Sequence, residues 1–152
     1  MKLLIVFLFF VVVYGNLPKD VIQNIRETVV KSAIECKDEI GASEDDIMPL
    51  IGYNVPQTEK GKCFVACMHK QFKLIDKDGN VDKSSWAAIL NELKVLDLDT
   101  YKIIKPIAVK CLKKEHDSKN ECDTAAKLLE CLYKEGHCVT PRDPNENCIF
   151  EF

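Results

Sequence analysis

The spacing of eight cysteines constrains this chain of 152 residues more than any other feature of its sequence. Two of them, Cys138 and Cys148, form a separate pair close to the C-terminus. The other six lie in segments with helical periodicity and read C-x26-C-x3-C-x43-C-x10-C-x8-C; they are Cys36, Cys63, Cys67, Cys111, Cys122 and Cys131. This combination predicts a cross-linked helical shell around a cavity.

The N-terminus has the features of a secretory signal peptide. Lys2 precedes an apolar run over residues 3–13, and Val13 and Gly15 suit the positions before a cleavage site. The run is shorter than the roughly 20 residues that span a bilayer. We therefore expect cleavage after Gly15 and export of the remainder, which meets an oxidising compartment where cysteines form disulfides.

Length and charge narrow the class of protein. The exported part is expected to be one domain, residues 16–136, followed by a tail over residues 137–152. The full chain has a net charge of −3, and loss of Lys2 makes it more negative. A negative protein is a poor partner for nucleic acid or anionic membrane. No stable membrane insertion is expected.

Apolar periodicity predicts six helices and no persuasive strand. The expected ranges are about 18–39, a short helix capped by Ser43, about 58–74, a helix from Ser84 or Ser85, about 100–114 and about 122–135. Pro106 should bend or delay the fifth helix. The residues expected to be buried on that helix are Ile103, Ile104, Ile107, Ala108 and Cys111.

Helical geometry limits the disulfide pairing without deciding it. Cys63 and Cys67 are four residues apart, so both face one side of the third helix and should bond to other helices. Cys122 and Cys131 are nine residues apart and face opposite sides of the sixth helix, so they should have different partners. Many of the 105 pairings that eight cysteines allow remain open.

These residues together resemble the insect odorant-binding proteins of the pheromone and general odorant-binding type. The resemblance covers about residues 17–133 and rests on the six-cysteine spacing in helical segments behind a signal peptide. It implies an all-α fold, with six helices braced by disulfides around an apolar cavity. It also implies the pairs Cys36–Cys67, Cys63–Cys122 and Cys111–Cys131.

The tail departs from the family pattern. Cys138 and Cys148 either bond to each other or leave one cysteine to bridge a second copy of the chain. The apolar residues Ile149, Phe150 and Phe152 suggest a lid over the binding cavity, because the resemblance implies that a C-terminal segment can cover it. The alternative is a frayed end, or one packed on the outside of the domain.

No catalytic or metal-binding constellation stands out. There is no G-x-S-x-G sequence. The segment that begins at Asp76 resembles a calcium loop, but its sixth position is Val81 instead of glycine and its twelfth is Ala87 instead of glutamate, so we expect a solvated turn. His116 next to Asp117 resembles the catalytic pair of secreted phospholipases, but the flanking paired cysteines and the glycine-rich calcium loop of those enzymes are absent. His69, His116 and His137 are expected at the surface or at helix ends, where His69 or His137 would titrate near 6.5 and drive release at low pH.

The remaining hypothesis is binding. We predict a secreted carrier without cofactor, metal or enzymatic activity, whose pocket removes small hydrophobic molecules from water. Orientation would come from Tyr101, Tyr133 and the indole N–H of Trp86. The alternatives are a secreted interaction module or covalent dimer, with a chemosensory receptor or a second copy as partner, and a hydrolase with an unrecognised site. The predicted apolar lining is Phe64, Met68, Phe72, Trp86, Leu90, Ile107, Leu128 and Leu132.

Overall fold

Six α-helices make up the architecture of the chain. The computed structural model describes residues 19–113, 116, 118 and 120–136. Among these residues no β-strand forms, and one isolated bridge joins Ile75 and Val81. The prediction of an all-α fold with six helices is therefore confirmed. The helices are α1 Lys19–Ile40, α2 Glu44–Ile51, α3 Glu59–Gln71, α4 Lys83–Leu96, α5 Leu98–Lys113 and α6 Glu121–Gly136.

Aspartate side chains set the starts of two helices. The carboxylate of Asp82 accepts the backbone N–H groups of Ser84 and Ser85, so α4 begins slightly earlier than expected. Asp97 accepts the N–H of Thr100 at 3.0 Å and starts α5 at Leu98, two residues before the predicted start. The turn between α4 and α5 is therefore a single residue.

Three disulfides tie the helices together. Cys36–Cys67 joins α1 to α3, Cys63–Cys122 joins α3 to α6, and Cys111–Cys131 joins α5 to α6. These are the pairs that the resemblance implies. Helix α3 thus bonds to two neighbours, as the geometry of its two cysteines required.

The main core lies among α3, α4, α5 and α6. Leu74 and Trp86 are almost completely buried in it, and the Trp86 indole N–H donates to the Leu74 carbonyl at 3.2 Å. A smaller cluster around Phe64 fills the space between α1, α2 and α3. Met68 packs against both clusters and connects them.

One prediction about burial is wrong, and two histidines are more deeply buried than a surface position would be. Ile103 was expected in the core, but it is 37 % exposed, because the core-facing stripe of α5 runs through Ile104 and Ile107. His69 and His116 were expected at the surface or at helix ends. His69 lies in the last turn of α3 and His116 follows the end of α5, but both are buried, so neither is a surface residue. The ring of His116 pairs through Nε2 with the carbonyl of Cys111 at 2.7 Å, which explains its burial.

Several expectations concern residues that the structure does not describe. The signal peptide, His137, Cys138, Cys148 and the apolar end of the tail all lie outside the described residues. Among the helices that are described, none has the length and apolar character needed to cross a membrane.

Candidate ligand-binding site

Most of the residues predicted to line a pocket meet in the main core. Met68, Tyr101 and Tyr133 are partly buried and pack against this cluster, whereas Phe64 belongs to the smaller one. The helices α3, α4, α5 and α6 therefore bring nine of the ten predicted residues to one region. Six of the nine are buried members of the main core, namely Phe72, Trp86, Leu90, Ile107, Leu128 and Leu132.

The three polar groups predicted to orient a ligand have different surroundings. The Trp86 N–H already donates to a backbone carbonyl. Tyr101 lies near solvent, with the ammonium groups of Lys94 and Lys105 at 5.8 and 5.4 Å from its ring centroid. Tyr133 combines contact with the core and access to an open cleft, which makes it the best placed of the three.

The open cleft beside Tyr133 has a volume of about 1040 Å³ and lies between α2, the segment after α2, and the end of α6. Tyr53 and Tyr133 form its aromatic wall, with ring centroids 5.9 Å apart in an edge-to-face arrangement. Met48 and Val55 add apolar surface, and Glu130 adds a carboxylate. An aromatic pair beside aliphatic groups suits a molecule with an apolar body and one polar end.

Burial changes the acidity of both tyrosines. The pKa of Tyr133 is raised to about 12, mainly by burial and to a smaller extent by repulsion from the negative charge that Tyr53 carries when it is deprotonated. Burial also raises the pKa of Tyr53 above its ordinary value. Both hydroxyls therefore stay protonated at physiological pH, where each can donate a hydrogen bond as well as accept one.

Tyr53 was missed by the sequence analysis, and its backbone explains why it matters. Helix α2 ends in a Schellman motif, in which the backbone N–H of Tyr53 donates to the carbonyl of Leu50 and the N–H of Asn54 donates to the carbonyl of Pro49. Tyr53 takes the left-handed position, with φ of 55°, that glycine usually occupies. The one sequence signal was an aromatic residue directly after Gly52, which follows the apolar end of α2.

A second concave surface, which we call the α1–α2 groove, has a volume of about 380 Å³. Val30 and Ile34 of α1 face Met48 and Ile51 of α2 across it, above the ring of Phe64. Its sides are almost entirely aliphatic. Met48 lines both this groove and the cleft beside Tyr133, so α2 separates the two surfaces.

His69 lies in α3 and is buried without a complete set of partners. Its Nδ1 has no hydrogen-bond partner among the described residues. Burial lowers the pKa of His69 to about 4. The expectation that it titrates near 6.5 is therefore wrong for His69, because the protonated ring would have to be charged inside the core.

The segment that resembles a calcium loop is held by its own hydrogen bonds. The carboxylate of Asp76 accepts the backbone N–H groups of Asp78 and Asn80, each at 2.9 Å. The bond from Asn80 is the largest influence that lowers the pKa of Asp76. This arrangement is a turn between α3 and α4, as expected.

One cluster of metal-ligand types occurs among the described residues. Glu59, Cys63 and Cys122 each place a ligand atom within 4.8 Å of the others. The two sulfur atoms are bonded to each other, so neither is available as the thiolate that a metal requires. The cluster is therefore a disulfide beside a carboxylate.

Comparison with known families decides the classification. Residues 19–135, which contain nearly all of the six helices, match the PBP/GOBP family. The chain belongs to the PBP/GOBP family. Its members are odorant-binding carrier proteins, not enzymes, and they are secreted.

Individual relatives agree with this membership of the PBP/GOBP family. General odorant-binding protein 19d of Drosophila melanogaster is 26 % identical over 110 residues, covering 72 % of this chain and 73 % of the relative. General odorant-binding protein 69a of the same species is 27 % identical over 130 residues, covering 82 % of each chain.

Solved structures share the fold. The odorant-binding protein dmelOBP28a of Drosophila melanogaster superposes with a TM-score of 0.60 at 24 % identity, covering 71 % of this chain and 88 % of its own. Odorant binding protein 5 of Apis mellifera gives a TM-score of 0.63 at 18 % identity, covering 78 % and 96 %. The helical framework described above is therefore the one these two proteins adopt.

Proposed function

We propose that the protein is a secreted carrier that binds small hydrophobic molecules, such as odorants, pheromones or similar lipophilic ligands, in an internal apolar pocket. The observation that carries this proposal is the match to the PBP/GOBP family along almost the whole helical framework. The proposal includes removal of residues 1–15 as a signal peptide, which would deliver the carrier to the extracellular fluid.

The pocket is proposed among the predicted residues that α3, α4, α5 and α6 bring together. Burial of a ligand there would gain about 25 cal/mol for each Å² of apolar surface removed from water. The disulfides that join α3 and α5 to α6 would limit how far these helices separate when a ligand is accommodated. Binding would then be driven mainly by desolvation.

The cleft beside Tyr133 is proposed as the mouth of this pocket. Tyr133 packs against the core and also lines the cleft, so it connects the interior with solvent. The left-handed backbone of Tyr53 supports a role for its ring, since a non-glycine residue in that conformation costs about 1 to 3 kcal/mol and such costs cluster at ligand sites. The two hydroxyls would hydrogen-bond the polar end of a ligand.

A matched pair of substitutions in α5 tests the internal pocket. Ile107 is buried in the core, whereas Ile103, one turn earlier, is exposed. We expect Ile107→Phe to lower the affinity for an apolar fluorescent naphthylamine probe at least tenfold, because the added ring occupies the proposed pocket. Ile103→Phe makes the same change outside it and should leave the affinity unchanged.

Thermal unfolding of both variants checks that the fold survives. Equal probe affinities for the two folded variants would contradict the internal pocket. Failure of the wild-type protein to bind the probe would contradict the carrier. Deleting residues 149–152 tests the proposed lid formed by Ile149, Phe150 and Phe152, and it should change the affinity or the rate of release.

The second candidate function is an interaction module, favoured by the two cysteines beyond the six of the framework. Native mass spectrometry of the secreted protein, followed by denaturing non-reducing conditions, separates the two. A monomer with all eight cysteines oxidised and a bound apolar molecule supports the carrier. A ligand-free covalent dimer through Cys138 or Cys148 would instead support interaction with a second copy, and a receptor would be sought next.

A further inference from the structure

The cleft beside Tyr133 contains more negative than positive charge, which a site for purely apolar ligands does not require. Its charged lining consists of the carboxylates of Asp45 and Glu130 and the ammonium group of Lys134. Neither carboxylate takes part in a salt bridge within the described part of the chain. Both carboxylates are therefore available to a positively charged ligand.

The two tyrosine rings in the wall of this cleft form a corner. The planes of Tyr53 and Tyr133 meet at 75°, and their centroids are 5.9 Å apart. A group that rests on the face of one ring at such an angle also lies close to the other ring. The face of an aromatic ring carries negative partial charge, and a cation within about 6 Å of its centroid is attracted to it. This corner therefore has the geometry of two walls of an aromatic cage for an alkylammonium group.

Two helices also direct their C-terminal ends at the cleft. Helix α2 ends at Ile51 and helix α6 ends at Gly136, and Gly52 and Lys134 line the cleft at these ends. The last carbonyl groups of a helix carry partial negative charge and stabilise cations. Lys134 uses part of this potential, but it is one ammonium group beside two carboxylates and two helix ends. The cleft therefore favours a positive charge.

We propose that the cleft beside Tyr133 binds protonated amines, that is, ligands with an apolar body and an ammonium group. The ammonium group would lie in the corner of Tyr53 and Tyr133. Glu130 would pair with it, since this residue lies three positions before Tyr133 and therefore on the same face of α6. The apolar body would contact Met48 and Val55. An alkylamine, like the side chain of lysine, is protonated at pH 7.

An amine suits the cleft better than a neutral or an acidic ligand does. A fatty acid would bring its carboxylate close to Asp45 and Glu130, with Lys134 alone to attract it. An alcohol would use the hydroxyls of the two tyrosines but would gain nothing from the carboxylates. The inference rests on the proposed carrier function, because it takes the cleft as the mouth of the pocket, and it adds the chemical class of ligand that this mouth selects.

Isothermal titration calorimetry of the full secreted chain tests the proposal. The ligands are octylamine, 1-octanol and octanoate, which share one chain length and differ in charge at pH 7. We expect octylamine to bind at least tenfold more tightly than octanoate and about fivefold more tightly than octanol. Raising NaCl from about 0.05 M to about 0.5 M should reduce this preference, because salt screens charges that are open to solvent.

Charge substitutions locate the preference in the cleft. Glu130→Gln removes one carboxylate and should lower the affinity for octylamine about fivefold, while the affinity for octanol stays unchanged. Glu35→Gln is the matched control, because it removes the same charge from a half-exposed residue of α1 outside the cleft. Lys134→Gln removes the opposing charge, so it should strengthen the binding of octylamine and weaken that of octanoate.

Substitution of Tyr53 separates its ring from its hydroxyl group. Tyr53→Phe keeps the aromatic face and should retain most of the affinity for octylamine. Tyr53→Leu removes the aromatic face and should lower this affinity about fivefold. Both variants place a non-glycine residue in the same left-handed backbone, so they are matched in strain, and thermal unfolding checks that each is folded.

Three results would overturn the proposal: octanoate or octanol binding as tightly as octylamine, an equal loss in Glu130→Gln and Glu35→Gln, and an equal affinity of the Phe and Leu variants of Tyr53 for octylamine. Tighter binding of octanoate would assign the cleft to fatty acids through Lys134. The fluorescent probe, which is uncharged at pH 7, is measured in parallel. A wild-type chain that binds the probe without preferring octylamine remains a carrier, so failure of this inference and failure of the proposed function are separate outcomes.

Discussion

The attachment of α6 and the attachment of α2 to the same helix, α3, differ greatly in strength. Helix α6 is joined to α3 by the Cys63–Cys122 disulfide, by the salt bridge of Lys62 with Asp123 at 3.0 Å, and by a second salt bridge between their ends. Helix α2 contains no cysteine and no buried residue. Its Ile51 is 74 % exposed.

This difference shows where the molecule is braced and where it can open. A helix of eight residues is too short to be stable alone and depends on its packing. Regions with few buried apolar contacts open locally at the lowest free energy. Because α2 borders both the cleft beside Tyr133 and the α1–α2 groove, the weakly attached element lies at the proposed mouth of the pocket.

Removal of the disulfide between α3 and α6 should have the largest effect. Cys63→Ser with Cys122→Ser opens a loop with a sequence separation of 59 and should lower the free energy of unfolding by about 4 kcal/mol. Cys111→Ser with Cys131→Ser, with a separation of 20, is the control and should cost about 3 kcal/mol. Urea denaturation measures both. A larger loss from the shorter loop would contradict this account of the bracing.

Acid should weaken the braced region next, through His69 of α3. Its pKa falls from 6.5 to about 4 on folding, so below pH 6.5 the unfolded chain binds a proton that the folded chain does not. The contribution of His69 to the free energy of unfolding is therefore fully present above pH 6.5. It is lost as the pH falls toward 4, which lowers the free energy of unfolding by up to about 3 kcal/mol.

Urea denaturation of the wild type and His69→Gln between pH 7 and pH 4 measures this loss. The variant lacks the titrating ring and should show a flatter dependence on pH. Asp46 and Asp82, whose hydrogen bonds lower each pKa to about 2, titrate below this range in the folded protein. Equal slopes for the two proteins would exclude His69 as the source.

A smaller and local effect is expected at α2. The Asp46 carboxylate accepts hydrogen bonds from the Ser43 N–H at 2.8 Å and the Thr58 hydroxyl at 2.7 Å, and so caps α2 and ties it to the start of α3. Asp46→Ala removes both bonds and should weaken the start of α2 and its attachment to α3. Hydrogen exchange should accelerate in α2 and remain unchanged in α6. Faster exchange in both helices would show that α2 is more firmly coupled to the core than its contacts indicate.

The smallest effect is expected from the ion pair between α3 and α6. Lys62 and Asp123 are partly exposed, and such pairs contribute about 0.2 to 1 kcal/mol. A double-mutant cycle with Lys62→Met and Asp123→Asn should give a coupling energy in this range that decreases with salt. A coupling above about 2 kcal/mol would mean that the pair, and not only the disulfide, braces these helices.

The sequence by itself determined the helical class, the six helices and the exclusion of two cysteine pairings. These follow from local properties, since a period of 3.6 residues and the distance between two positions on one helix do not depend on the rest of the fold. Most of the predicted pocket residues meet in one core for the same reason. The periodic apolar stripe of a helix faces its neighbours.

Only the tertiary structure decided which apolar and polar residues depart from that pattern. Periodicity treated Ile103 like its neighbours, and histidines are usually near the surface, yet Ile103 is exposed and His69 is buried. Tyr53 packs against Tyr133 in the wall of the cleft although 79 intervening residues separate them. Burial and long-range contact depend on how the helices pack against one another, and the local pattern of a chain does not contain that arrangement.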